Sequence, residues 1–153
     1  MAGSDQRLNE TWARLMGLFM SRRDVLFAAL GELGLTPPHG VALMALLHGG
    51  PARMRDMAEH MACDASYITV VADRLEELGL AERRNAVDDR RAKELALTPN
   101  GERVAARLRA ILADPPDSMR ALSPAEQTQL ERLARKLGDV PGSGDWLPPL
   151  KLR

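Results

Sequence analysis

Residues 64–98 read DASYITVVADRLEELGLAERRNAVDDRRAKELALT, and this stretch decides the architecture. At about 100° per residue, Ile68, Val71, Ala72, Leu75 and Leu78 fall within roughly one third of a helical circumference. Ser66, Val70 and Asp73 fall opposite, flanked by Tyr67, Thr69 and Arg74. The spacing predicts an amphipathic helix over 65–78, closed by Gly79 in the left-handed conformation that a helix end favours. Residues 81–86 and 91–97 are two short runs separated by Val87-Asp88-Asp89-Arg90. Leu95 and Leu97 alternate with Glu94 and Ala96, a period that suits a hairpin strand.

The outward face at the start of the helix, Ala65, Ser66, Tyr67 and Thr69, is small and polar. Hydroxyls contact base edges or phosphates, and a helix N-terminus attracts phosphate. Taken alone, the helix reads as an ordinary amphipathic one with a solvated face. The hairpin changes the weighing: residues 83–93 carry Arg83, Arg84, Arg90, Arg91 and Lys93 against Asp88 and Asp89. Arginines at a hairpin tip suit a narrow minor groove, and Asp89 is close enough in sequence to orient Arg91. The bland alternative is a solvated, salt-bridged turn that contributes little to stability.

Working outward, residues 54–61 form a short helix, and a tight turn at Ala62-Cys63-Asp64 joins it to helix 65–78. Upstream, Leu8, Trp12, Leu15, Phe19, Leu26, Leu30 and Leu33 mark one stripe of a long first helix that Gly34 closes. Thr36 and Pro37 start a second helix, stopped by Gly49-Gly50. Downstream, Thr98-Pro99 opens a helix carrying Val104, Leu108, Ile111 and Leu112. Ser123-Pro124-Ala125-Glu126 is a capping box that opens the last one, with Leu130, Leu133 and Leu137. Residues 139–153, rich in Pro and Gly, read as an extended tail containing Trp146.

Composition sets bounds on this reading. Hydrophobic residues make up 45% of the 153, but aromatics only 3%, so the core is built from Leu, Met, Ala and Val. Formal net charge is zero, and residues 51–100 hold eight Lys/Arg against ten Asp/Glu, which excludes a nonspecific polycation. No apolar run reaches the length of a membrane span, and residues 1–7 do not read as a secretory leader. With a single cysteine, Cys63, a cytoplasmic setting is the simplest expectation.

The stretch Asp64–Arg83, followed by Asp88-Asp-Arg-Arg91 and Leu97-Thr-Pro-Asn-Gly101, closely resembles the MarR family of bacterial regulators. The matching elements are Thr69 on the recognition helix, Arg74-Leu75 before Leu78-Gly-Leu80, the Asp-x-Arg of the wing, and Leu-Thr-x-x-Gly. Each motif is weak alone, but their order and spacing over nearly fifty residues are specific, and helix layout extends the likeness to about residues 8–138. The resemblance implies a mainly α fold with a small β-hairpin wing, a winged helix-turn-helix flanked by a dimerisation layer. By this reading 5–34 is the N-terminal dimerisation helix and 36–98 the DNA-binding domain. Residues 99–138 supply the C-terminal dimerisation helices, and 139–153 the tail, which has no counterpart in the common pattern. Ala65, Ser66, Tyr67, Thr69 and Val70 would face DNA, with Arg74 near backbone phosphate. In the wing, Arg91 would enter the minor groove, oriented by Asp89, with Arg90, Arg84 and Lys93 alongside. Val70 departs from the polar or basic residue common there, which favours contact with a thymine methyl.

The resulting expectation is a homodimeric repressor that binds a pseudo-palindromic duplex and is released by a small-molecule effector. It catalyses nothing and needs no cofactor. Trp12, Leu15, Met16, Phe19, Met44 and Leu47 are the candidate effector-pocket lining, with a plain core role as the alternative. Two other functions stay open: a winged-helix dimer used for protein–protein contact, and a thiol-based redox sensor acting through Cys63. The latter lacks a second cysteine to resolve a sulfenic acid. His60 with Cys63, and His39 with His48, do not assemble a four-donor metal set. No phosphate loop, nucleophile elbow or paired-acid arrangement stands out.

Overall fold

A computed structural model of the chain describes residues 2–86 and 92–137. The expected wing tip, including Asp89, Arg90 and Arg91, and the expected tail at 139–153 lie outside the described residues. In chain order the elements are α1 (Ala2–Glu32), α2 (Pro37–Gly49), β1 (Ala52–Arg53), α3 (Met54–His60) and α4 (Ala65–Glu77). There follow β2 (Ala81–Asn85), β3 (Lys93–Leu97), α5 (Pro99–Ala113), α6 (Asp117–Arg120) and α7 (Pro124–Leu137).

Helices α2, α3 and α4 pack around a core whose fully buried members include Leu43, Met57, Ile68 and Leu75. Leu30 from α1, Leu95 from β3 and Leu108 from α5 close it. The sheet is antiparallel in the order β1-β3-β2. Ala81 pairs with Leu97 and Asn85 with Lys93, and the Ala86 N–H donates to the Ala92 carbonyl at the far end of the hairpin. Strand β1, where Ala52 pairs with Leu95, was not expected from sequence. Two residues carry no periodicity, and they form a strand because β3 offers them a free edge. Helix α6 escaped for the same reason: four residues are too few for a helical period.

The expected punctuation is present. Gly34 and Gly79 both sit in the left-handed region, at φ +66° and +65°. Behind Gly79, the Leu80 N–H donates to the Leu75 carbonyl, the bond that ends a helix and turns the chain toward the sheet. Thr98 caps α5 by accepting from the Gly101 N–H at 3.0 Å, and its own hydroxyl donates to the Gly79 carbonyl. Gly101 is buried so tightly that a Cβ there would lie 1.8 Å from the Leu80 carbonyl oxygen. The Leu-Thr-x-x-Gly run is therefore the seam joining α5 to the α4–β2 corner.

The flanking helices differ. The C-terminal part of α1 and the turn after it pack through Leu26, Leu30 and Leu33. Leu8, Trp12, Leu15 and Phe19, on the same stripe, are exposed, and so are Leu133 and Leu137 of α7. Arg22 fixes the crossing of α1 over α5 by donating to the Ile111 carbonyl at 2.8 Å.

Candidate nucleic-acid interface

Helix α4 is positioned from both ends. At its start, the Asp64 carboxylate accepts from the Ser66 hydroxyl and from the Tyr67 N–H, the latter at 2.8 Å. These two bonds hold the Asp64 carboxyl below its ordinary value. The turn ahead of it is tight enough to put Ala62 at φ +50°, and the Cys63 N–H reaches back to the Ala58 carbonyl. Along its length, Ile68, Val71, Ala72 and Leu75 are buried, as the period demanded.

What remains outside is one continuous face. Ala65, Ser66, Tyr67, Thr69 and Val70 are all exposed, Val70 at 63%. The Thr69 hydroxyl donates to the Ala65 carbonyl at 2.8 Å, and that of Ser66 donates to Asp64. Each oxygen keeps its acceptor capacity toward an incoming donor. Val70 and Tyr67 add apolar surface between them, a pairing suited to a thymine methyl rather than to a charged group.

The sixth residue expected on this face behaves differently. Arg74 donates to the Gly34 carbonyl at 3.2 Å and pairs with Glu77 at 2.6 Å. It ties α4 to the turn between α1 and α2. The same guanidinium, together with burial, holds the His39 imidazole below its ordinary pKa, with burial the larger cause.

The hairpin lies beside α4. Arg84 Nε donates across the strands to Glu94 at 2.8 Å, and Lys93 Nζ to Asn85 Oδ1 at 2.7 Å. Of the expected wing cations, the two that are described therefore stiffen the hairpin base. Arg83, which the spacing alone did not single out, is the most engaged cation at the interface among the described residues. It pairs with Asp73 at 2.6 Å and with Glu76, and its guanidinium donates to the Thr69 carbonyl at 3.2 Å. Its backbone N–H donates to Glu76 as well, at 2.7 Å. The sequence held one usable signal, a cation seven residues after a helical acid, but only the packing of β2 against α4 brings them together.

Of the six candidate effector residues, Met44 lines an apolar cavity of about 80 Å³ with Leu26, Phe27, Val41, Leu108 and Leu112. Leu47 is half-buried against the core, Met16 is half-buried on α1, and Trp12, Leu15 and Phe19 face solvent. Cys63 is half-buried against the same core. Among the described residues no group of three or more His, Cys, Asp or Glu could hold a metal ion. No helix among them is long and apolar enough to cross a membrane.

Comparison with known proteins places this geometry. Residues 35–93 match the model of the MarR family. The chain is 32% identical over 117 residues to the HTH-type transcriptional repressor MdtR of Bacillus subtilis, covering 74% of this chain and 76% of that one. Its fold is similar to the crystal structure of YusO from the same organism, with a TM-score of 0.69 and 27% identity over 87% of this chain and 95% of that one. It is also similar, at TM-score 0.62 and 19% identity, to a mutant of S. aureus MepR bound to an oligodeoxyribonucleotide, covering 84% and 94% of the two chains. That last likeness is one of fold.

Proposed function

This chain belongs to the MarR family, whose members are transcription regulators and not enzymes, and on that premise we propose that it is a cytoplasmic, sequence-specific DNA-binding repressor acting as a homodimer. The observation that carries the reading is the exposed face of α4, Ala65 to Val70, held beside a basic hairpin. A helix of this width fits a major groove, and a hairpin at its flank meets the neighbouring backbone or minor groove. In this proposal Ser66, Tyr67, Thr69 and Val70 read bases, and Arg91, oriented by Asp89, enters the minor groove. Arg90 meets phosphate, while Arg84 and Lys93 hold the base of the wing.

The open stripes support the second protomer. Leu8, Trp12, Leu15 and Phe19 of α1 and Leu133 and Leu137 of α7 are apolar, contiguous along their helices and exposed. Pairing them between copies hides them and sets two α4 helices on one side, to read half-sites about 34–36 Å apart. The residue blocks 5–34 and 99–138 then serve as the dimerisation layer around the DNA-binding block 36–98. An effector that changes the separation of the two α4 helices would release the duplex, because only one separation fits successive grooves. The cavity at Met44 lies where the layer meets that block. At about 80 Å³ it is well short of the roughly 300 Å³ of a ligand pocket, so the partner chain or a shift of α1 must enlarge it.

The test is selection of bound sequences from random duplexes by the purified full chain. An inverted-repeat consensus, with affinity falling steeply as salt rises, is the expected result. A protein that ignores every duplex in low salt overturns the reading.

A further inference from the structure

Helix α4 is the wrong charge for its proposed partner. Between Ala65 and Glu77 it carries Asp73, Glu76 and Glu77 against one cation, Arg74, and Asp64 stands at its cap. Bare carboxylates on a helix that approaches phosphates raise the cost of every approach. The structure matches the three acids within the helix with cations from outside and within it, while Asp64 is held by the Ser66 hydroxyl and the Tyr67 N–H. Glu77 is taken by Arg74, and both Asp73 and Glu76 by the single guanidinium of Arg83 from strand β2. Asp73 remains 59% exposed while Arg83 is only 24% exposed. The acid thus faces solvent and the cation lies behind it.

We propose that Arg83 is a positioning residue for DNA binding: it masks the Asp73–Glu76 pair and locks the hairpin to α4 at one angle, without itself contacting phosphate. This rests on the DNA-binding reading above. Three features argue for the indirect role. The guanidinium is shared among two carboxylates and the Thr69 carbonyl, which occupies its fork. The Arg83 backbone N–H also donates to Glu76, so the strand's backbone and its guanidinium both tie β2 to α4 through that carboxylate. Thr69, whose carbonyl the guanidinium holds, is itself on the proposed reading face, so the clamp sets the position of a contact residue directly.

The test compares Arg83→Gln with Arg83→Gln/Asp73→Asn, using the best duplex from the selection. The double variant has the same net charge at this cluster as the natural chain. Arg83→Gln is expected to weaken binding about tenfold, through the net negative charge left on the Asp73–Glu76 pair and a looser wing. Adding Asp73→Asn restores the part of the loss due to charge, with a salt slope equal to that of the natural chain, while the part due to the looser wing stays lost. No recovery, together with a slope lower by about one unit, means that Arg83 neutralises a phosphate and overturns the proposal. Unchanged binding by Arg83→Gln overturns it too. Should Arg83→Gln fail to fold, Asp73→Asn alone decides: it binds as well as or better than the natural chain if Asp73 is only masked. It binds worse, with a changed preference, if Asp73 reads a base. Hydrogen exchange gives a measure without DNA: the amides of 81–85 exchange faster in Arg83→Gln while those of α2 do not. If the natural chain binds no duplex, the functional reading fails, and faster exchange at 81–85 still upholds the clamp while unchanged exchange removes it.

Discussion

The winged unit and the helices that flank it are built from the same residues and end up in opposite surroundings. Between Leu35 and Leu97, Leu43, Met57, Ile68, Leu75 and Leu95 are all but removed from water. On α1 and α7, Trp12 is 63% exposed and Leu137 81%, although their spacing is as regular as that of α4. Within α1 itself the stripe crosses from one condition to the other: Leu30 is buried, Phe19 is not. The pattern does not change along that helix; the supply of neighbours does. Short elements that cross one another cover their own stripes, whereas a helix of 31 residues runs past the end of what the described residues set against it. Each large apolar side chain left open forgoes about 1.5–3 kcal/mol of burial. Among the described residues, the winged unit therefore covers its own stripes and the flanking helices do not.

The sharpest way to break the complete half is to disturb its tightest seam. Gly101→Val puts a side chain where a Cβ alone would stand 1.8 Å from the Leu80 carbonyl oxygen. Backbone on both sides leaves nothing flexible to yield. The expected loss exceeds about 3 kcal/mol, read as a collapse of the chemical-denaturation midpoint or as insoluble protein. A variant that folds with an unchanged midpoint would mean that the α5 to α4–β2 seam is not as close as described.

The incomplete half is tested by making its stripes polar. Trp12→Asp and Leu133→Asp alter exposed positions, so a chain that worked alone would not notice them. If the stripes meet a second copy, each variant becomes monomeric at micromolar concentration in sedimentation, with its helical circular dichroism largely kept. Losing such a central contact costs about 2 kcal/mol or more of association free energy. The unfolding midpoint, concentration-dependent in the natural chain, becomes independent of concentration. A natural chain that is already monomeric would erase the contrast between the two halves.

How much of this was legible in sequence follows the same division. The period of Ile68, Val71, Ala72 and Leu75, the glycines at 34 and 79, and the Thr98 and Ser123 caps are local signals, and each element they mark is where it was expected. Strand β1 and the role of Arg83 were not legible, because both depend on neighbours distant in sequence: the free edge of β3 and the back of α4. Arg74 shows a related limit. The family resemblance places it near backbone phosphate, and the fold adds a bond to the Gly34 carbonyl that no local signal indicated. The effector-pocket residues illustrate a stripe read as one lining that divides between solvent and core, with Met44 alone of the six lining the described cavity.

A milder perturbation of the winged unit separates capping from packing. Thr98→Ala removes the acceptor for the Gly101 N–H and the donor to the Gly79 carbonyl, leaving the seam's shape intact. The expected cost is about 1 kcal/mol, a modest drop in midpoint with assembly unaffected. A loss as large as that of Gly101→Val would show that the hydroxyl, rather than the missing Cβ, holds the seam.

The smallest expected effect concerns pH, at the corner where the two halves meet. The His39 Nδ1 accepts from the Thr36 N–H at 3.0 Å, satisfying a donor at the start of α2, and it can do so only while unprotonated. Burial and the nearby Arg74 guanidinium lower its pKa from 6.5 in the folded chain. On unfolding, the ring recovers that ordinary value and binds a proton more readily, so acid favours the unfolded state. The contribution is therefore fully present above pH 6.5 and is lost as pH falls through the lower folded value. Asp64 and Glu126 act in the same direction, but only below the ordinary carboxylate values of 3.8 and 4.5, so their window is separate. Between pH 7.5 and pH 5.5 the midpoint of the natural chain should fall more than that of His39→Gln, which keeps an acceptor but cannot titrate. Equal slopes would assign the acid sensitivity of this corner to some other group, and would detach the α1–α2 turn from the charge on α4.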